Sequence, residues 1–329
     1  MIPGITNRIF SIKSQDDFQK ITLEIFKYQA ENNKIYREYL DLLDVDPATV
    51  NFPVEIPFLP AGFFRDHKII TGDLPEVMVF ESSGTSGDSA SKHYVTDPSV
   101  YKESFSRAFG LFYGDPADYF IAALLPSYTE RQNSSLVYMM HEIITQSAYP
   151  DSGFYRDNIP ELILHIRSAR NKRRKILLMG VSFALLDLAE KHHPDLSGVI
   201  IMETGGMKGR RKEITRGEMH LVLKRNLNVE TIHSEYGMTE LFSQAYSRGD
   251  GIFFSPPWMK ILIRDPHDPL SIITQPGSTG GINVIDLANI NSCSFIATDD
   301  LGKLHDDASF EVLGRLDNSD IRGCNLLIE

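Results

Sequence analysis

A strand–helix–strand unit in the middle of the chain constrains its fold more than any other feature. The apolar run 175–180 (KILLMG) leads into 181–192 (VSFALLDLAEKH), whose apolar residues recur at helical spacing, and a second apolar run, 198–202 (GVIIM), follows. Two strands joined through a helix pair in parallel, and a parallel sheet needs cover on both faces. Residues 119–125 (YFIAALL) and 229–232 add strand signals on either side, and 134–144 has the spacing of a helix. After Trp258 the pattern changes to strands and turns, at 259–263, 281–287 and 294–298. The predicted fold class is α/β: parallel βαβ sheets plus a β-rich later part.

Upstream, Ser14 followed three residues on by Asp17 has the form of a helix-opening capping box. From there to about Leu43, apolar residues such as Phe18, Ile21, Ile25, Tyr36 and Leu40 sit at mainly helical spacing and predict one or two helices. Pro47, Pro53, Pro57 and Pro60 then predict an irregular, extended connection. The expected division is a helical and Pro-rich lead-in (1–74) packed on a core (75–312), then a short tail (313–329). No repeat or low-complexity segment interrupts it.

A chain of 329 residues can bury a large core. Its formal net charge of −11 argues against a reader of nucleic-acid phosphates, which needs a basic face. The one basic run, 167–175 (RSARNKRRK), reads as a solvated helix end or loop. Two cysteines, Cys293 and Cys324, make neither a disulfide framework nor a zinc cluster and fit a reducing compartment. The N-terminus has no apolar core of signal-peptide length, and no stretch reaches the roughly 18 apolar residues of a membrane span. The expectation is a cytoplasmic protein with no membrane span and no nucleic-acid partner.

Four polar segments carry candidate chemistry. Ser82, Ser83, Gly84, Thr85, Ser86 and Gly87 follow the apolar run 77–80 and offer backbone N–H groups and hydroxyls with little bulk, as a phosphate cradle needs. The alternative is an ordinary turn, and no Gly-Lys-Ser/Thr makes it a Walker A loop. Residues 233–240 (HSEYGMTE) supply an aromatic plate for a purine (Tyr236), a tight glycine (Gly237), a hydroxyl for a phosphate oxygen (Thr239) and a carboxylate for Mg2+ (Glu240). The alternative there is a helix start with Glu240 in its first turn. Residues 297–302 (ATDDLG) place a carboxylate at a strand end, able to accept from both ribose hydroxyls, or else form an Asp-Gly-type turn. Residues 314–323 (GRLDNSDIRG) form either a surface turn or a cationic hinge over a nucleotide.

Together and in this order, the four segments resemble the signature set of the adenylate-forming superfamily, which includes acyl-CoA synthetases, luciferases and nonribosomal peptide adenylation domains. The resemblance covers roughly residues 75 to 323. Within that superfamily, 125–131 (LPSYTER), 134–139 (SSLVYM), 203–210 (ETGGMKGR) and 321–324 (IRGC) look like the LuxE-type acyl-protein synthetases. The resemblance implies activation of a carboxylic, fatty-type acid with ATP and Mg2+ to an acyl-adenylate. The acyl group then passes to a cysteine near the C-terminus and on to a partner such as an acyl reductase. Residue by residue it implies phosphate contacts from Ser82–Gly87, adenine framing by Tyr236, Gly205 and Gly206, a nucleotide-binding place for Gly237, and the α-phosphate on Thr239. Glu240 would hold Mg2+, Asp300 the ribose hydroxyls, and Arg315 would act from the hinge.

Cys324, five residues from the chain end and beside Arg322, is the implied acyl carrier, since a neighbouring cation favours the thiolate. Cys293, in NSCSFIA, reads as a buried small apolar residue. The chain departs from the pattern in three places. The loop lysine of the family stands three residues past the last glycine, whereas Lys92 stands five past Gly87. Thr-Gly-Asp reads Thr298-Asp299-Asp300, and Asn318 replaces one hinge carboxylate. The small C-terminal domain with its catalytic lysine is not in this sequence, which leaves Lys92, Arg131 and Arg315 as candidates for the cation facing the α-phosphate. The alternatives are a ligase that passes the acyl or aryl group to CoA or a carrier protein, and a non-catalytic nucleotide- or acyl-binding subunit.

Overall fold

Ser14 accepts a hydrogen bond from the Asp17 amide at 3.1 Å, so the predicted cap opens a real helix. The computed structural model describes residues 2–82, 90–205, 214–275 and 277–316. After α1 (Ile5–Ile9), the lead-in forms α2 (Gln15–Asn32) and α3 (Lys34–Leu42), with Asn33 ending one helix and capping the next. It continues through β1 (Leu59–Pro60) and α4 (Phe63–Asp66). A hairpin of β2 (Met78–Glu81) and β3 (Lys92–Val95) stands apart from the main sheet.

Strands and helices then alternate: α5 (Pro98–Tyr113), β4 (Tyr119–Leu124), α6 (Ser135–Thr145), β5 (Gly153–Phe154), α7 (Ile159–Asn171), β6 (Lys175–Val181), α8 (Ser182–His192), β7 (Ile200–Thr204), α9 (Arg216–Leu227) and β8 (His233–Tyr236). The later part is strand after strand: β9 (Ala245–Ser247), β10 (Ile252–Phe254), β11 (Met259–Arg264), β12 (Ile272–Ile273), β13 (Thr279–Asp286), β14 (Phe295–Leu304) and β15 (Phe310–Arg315).

Among the described residues these strands make one large mixed sheet, in the order β12-β11-β13-β14-β15-β10-β9-β8-β7-β6-β4-β5, with β1 beside β14. From β5 to β8 each neighbouring pair is parallel. From β8 to β12 each pair is antiparallel. The parallel half is covered on both faces, as expected. Ile176 and Leu178 of β6 pack toward α7, α8 and α9, whereas Leu177 and Met179 pack with α5 and α6. This is the fold class predicted from the sequence.

Helix α2 docks on the segment between β13 and β14. The buried Gln29 amide donates to Asn289 O (3.0 Å) and Ile290 O (3.1 Å) and accepts from Ser294 N (2.9 Å). Trp258 is core, as expected, and its Nε1 donates to Ser104 Oγ at 3.0 Å. The basic run closes α7 and the turn after it, where Arg170 meets Asp195 at 3.2 Å. Among the described residues, no helix is long and apolar enough to cross a membrane.

Two strand boundaries differ from the sequence reading. The strand expected at 229–232 forms at His233–Tyr236, so half of the HSEYGMTE segment is itself strand. The strand expected at 294–298 runs on to Leu304, so ATDDLG is neither a strand end nor a turn. The sequence reading also passed over α5, α7 and α9.

Candidate active site

The chain leaves β8 at Tyr236 and turns at Thr239 and Glu240; the helix start considered for this segment does not form. Side chains from distant segments satisfy the backbone groups that this irregular stretch leaves without ladder partners. His93 of β3 makes a 2.9 Å hydrogen bond to Thr239 O. Because a carbonyl only accepts, the ring proton is on Nδ1. Asn289 Nδ2 donates to Glu240 O at 2.7 Å. The buried Asp286 carboxylate accepts from Phe242 N and Ser243 N, both at 2.8 Å. None of these three clamps was singled out in the sequence, because each is far from the turn along the chain.

The Glu240 side chain is buried against Ser91. Burial pushes its carboxyl up from the ordinary value; the Ser91 hydroxyl opposes this, and the charges of Asp300 and Asp299 add to it. Ser91 is also tied to Ser82, its amide donating to Ser82 Oγ at 2.9 Å and its carbonyl accepting from Ser82 N at 3.0 Å. The two ends of the serine- and glycine-rich loop therefore sit beside Glu240. Ser83, Gly84, Thr85, Ser86 and Gly87 themselves lie outside the described residues, as do Gly206 and Cys324.

Asp300 owes its direction to a β-bulge. Asn283 pairs with Ala297 and Gly281 with Leu301, so Thr298, Asp299 and Asp300 together face only Ile282. Such an insertion locally breaks the ladder and re-aims side chains. The buried Arg264 at the end of β11 fills the break: it donates to Ile282 O (2.8 Å), Asn283 Oδ1 (2.9 Å) and Thr298 O (2.5 Å). A Cβ on Gly281 would lie 2.5 Å from Arg264 Cζ, so the glycine leaves room for the guanidinium. Sequence reading missed Arg264; the available signal was an arginine closing an apolar strand, MKILIR, ahead of a Gly-Gly pair.

On the re-aimed segment, Asp300 accepts from the Tyr236 hydroxyl at 2.8 Å. Burial pushes the Asp300 carboxyl up, while the Tyr236 hydroxyl and the charges of Arg315 and Arg216 pull it down; the net direction is up. Tyr236 is only 7 % exposed, its ring edge-on to Phe253 and Phe310. The broad open plate expected for a purine is therefore small, and what the residue visibly does is hold Asp300.

Arg315 closes β15 in register with Asp300, and its exposed guanidinium meets Asp299, not Asp300, at 3.2 Å. Gly205 follows β7 with φ 66°, a conformation that favours glycine. Gly237 is exposed at the end of the neighbouring parallel strand, where an added Cβ would meet the Glu235 carboxylate. Lys92 is exposed, across the hairpin from Glu81 at 3.9 Å. Arg131 is exposed between β4 and α6. His233 is half-buried in β8 beside the Tyr113 hydroxyl at 3.1 Å and faces the α5 side. Cys293 is fully buried, as expected, and burial pushes its thiol up to about 12. A cleft of about 490 Å3, lined by Arg216, His220, Glu311, Val312 and Leu313 among others, adjoins this end of the sheet.

Among the described residues, no group of three or more His, Cys, Asp or Glu side chains is placed to hold a metal ion by itself. A phosphate-borne Mg2+ asks for only one or two carboxylates, and Glu240, with Asp299 and Asp300 close enough to add their charge, fits that need.

A scan against protein-family models and a search of curated proteins found no match. Among solved structures, ATP-bound MatB from Rhodopseudomonas palustris superposes with a TM-score of 0.52 at 17% identity, over 72% of this chain and 47% of that one. An ATP-bound RpMatB-BxBclM chimera gives the same figures. The chain thus spans about half the length of these structures. The shared feature is the fold: a mixed α/β domain built on one large mixed sheet.

Proposed function

We propose that this chain activates a carboxylic acid, of fatty type, with ATP and Mg2+ and relays the acyl group through Cys324. A carboxylate oxygen of the acid attacks the α-phosphorus of ATP. Its bond to pyrophosphate breaks, and acyl-AMP forms. The Cys324 thiolate then attacks the acyl carbon, AMP leaves, and a thioester remains for transfer to an acyl-accepting partner such as a reductase.

Asp300, held by Tyr236, accepts from the ribose hydroxyls. The Thr239 hydroxyl and the loop after Ser82 face the phosphates, with Lys92 and Arg315 as the nearby cations. Glu240 holds Mg2+, which neutralises phosphate charge when bound. Gly205, Gly206 and Gly237 let the adenine approach the backbone. Catalysis of this kind is mostly positioning and charge stabilisation.

One observation carries the reading. The ends of the loop at Ser82 and Ser91, the Thr239–Glu240 turn, and the Tyr236–Asp300 pair beside Arg315 come from four distant parts of the sequence and converge at one end of one sheet. The test is intact-protein mass spectrometry after incubation with Mg·ATP and carboxylic acids of graded length. An acyl adduct removed by hydroxylamine and absent from Cys324→Ser is the expected result. AMP and pyrophosphate without an adduct would move the acyl acceptor to another molecule. Neither adduct nor AMP, with every acid tried, would sink the activation step.

A further inference from the structure

The hairpin of β2 and β3 lies outside the main sheet, so no strand ladder ties it to the turn that follows β8. Side chains of β3 and the residue before it make that connection. His93 donates from Nδ1 to Thr239 O at 2.9 Å, and the neighbouring Ser91 hydroxyl meets the Glu240 carboxyl. His93 is fully buried. Its ring lies parallel to Phe242 at 4.5 Å and edge-on to Phe64 at 5.6 Å, which blocks rotation and fixes the donor's aim. With the proton on Nδ1, Nε2 is a lone pair, and it is buried without a partner among the described residues. A site that wanted only a flat ring between Phe242 and Phe64 would be better filled by phenylalanine, which buries no orphaned acceptor. The histidine is explained by its Nδ1–H.

We propose that His93 is a positioning residue that pins the hairpin to the Thr239–Glu240 turn and thereby sets the affinity for the phosphate end of ATP. The proposal rests on the nucleotide-site reading given above. With the pin in place, the Thr239 hydroxyl, the Glu240 carboxyl and the Ser82–Ser91 junction hold a fixed geometry. Without it, the turn keeps its clamps from Asn289 and Asp286 but drifts against the hairpin.

Two variants separate donor from ring. His93→Phe keeps the stack and loses the donor. His93→Asn places an amide N–H where the ring Nδ1 stood and loses the stack. Calorimetric titration with Mg·ATP is expected to show His93→Phe binding about tenfold more weakly, the order of one lost hydrogen bond, with a melting temperature near that of the wild type. His93→Asn is expected to melt lower yet bind within about twofold of wild type. In turnover, His93→Phe raises KM for ATP with a smaller change in kcat. Affinity that follows melting temperature across the two variants, or wild-type affinity in His93→Phe, overturns the proposal. If His93→Phe fails to fold, long-range proton–nitrogen NMR of the wild-type imidazoles decides: a neutral Nδ1–H ring at position 93 supports the pin, and an Nε2–H ring overturns it. A wild-type protein that binds no ATP overturns the site reading itself, whatever the tautomer.

Discussion

Tyr236 commits its hydroxyl to Asp300 at 2.8 Å while its ring is packed against Phe253 and Phe310. Removing the oxygen alone separates these roles. Tyr236→Phe keeps the ring contacts and is expected to fold, but it frees Asp300 to turn away from the position proposed for the ribose. KM for ATP should rise about five- to tenfold in pyrophosphate exchange, with kcat changing less. Asp300→Ala should cost more, because it removes the acceptor itself. A Tyr236→Phe enzyme with wild-type KM would show that Asp300 needs no holding. One position on, Gly237 is needed for space: an added Cβ would lie 2.4 Å from Glu235 Oε1. Gly237→Ala must push the carboxyl off the Thr204 hydroxyl that it accepts from, and a loss of about 1–3 kcal/mol in urea unfolding is expected.

The bulge in β14 is a joint product of three elements, and its energetics belong to them together. Thr298 O accepts from Arg264, Ile282 O accepts from Arg264 and from the Thr298 hydroxyl, and Gly281 makes the room Arg264 occupies. Arg264→Met takes the guanidinium donor from Thr298 O and leaves Ile282 O with the Thr298 hydroxyl alone, with an expected loss of about 2–4 kcal/mol. Gly281→Ala forces the guanidinium out and should cost a similar amount. Because both changes disable the same contact, the double variant should cost clearly less than the sum, by about 1 kcal/mol or more in a urea double-mutant cycle. Strict additivity would show that the guanidinium does not fill the bulge. The same elements show what the sequence could and could not reveal. Strands buried on both faces, such as β4 and β6, announce themselves as apolar runs, and the cap of α2 follows from Ser14 and Asp17. The later half of β14 reads as a polar turn because three of its residues are bulged out and break the two-residue alternation. For the candidate site, the polar segments stood out in the sequence as local composition. Their clamps did not: His93, Asn289, Asp286 and Arg264 act across long stretches of chain, and only the packed fold brings them to bear.

Across the whole molecule, the buried ionisable groups on the face packed by α5 and by the 237–243 segment oppose one another in their response to pH. Burial pushes Glu235 from 4.5 up to about 7, against the Thr204 hydroxyl and with the charge of Glu203 adding, and pushes Asp286 from 3.8 up to about 6. Burial pushes His93 and His233 from 6.5 down to about 4, with Arg248 adding at His233. The folded carboxyls hold protons that the unfolded chain has released, so their contribution to stability falls as pH rises from 4.5 to about 7 for Glu235 and from 3.8 to about 6 for Asp286. The folded histidines refuse protons that the unfolded chain accepts, so their contribution rises as pH rises from about 4 to 6.5. Between roughly pH 4.5 and 6 the two pairs have opposite slopes and largely cancel. Glu235→Gln removes one falling limb and leaves the histidines less opposed. Relative to wild type, the variant should be nearly neutral at pH 5, gain stability through pH 6 and 7, and level off above that at about 3 kcal/mol. Urea midpoints at pH 5, 6, 7 and 8 measure this directly. A difference between variant and wild type that stays constant over that range would mean that Glu235 does not change protonation there, and that the balance of opposing groups is not what keeps the fold steady across it.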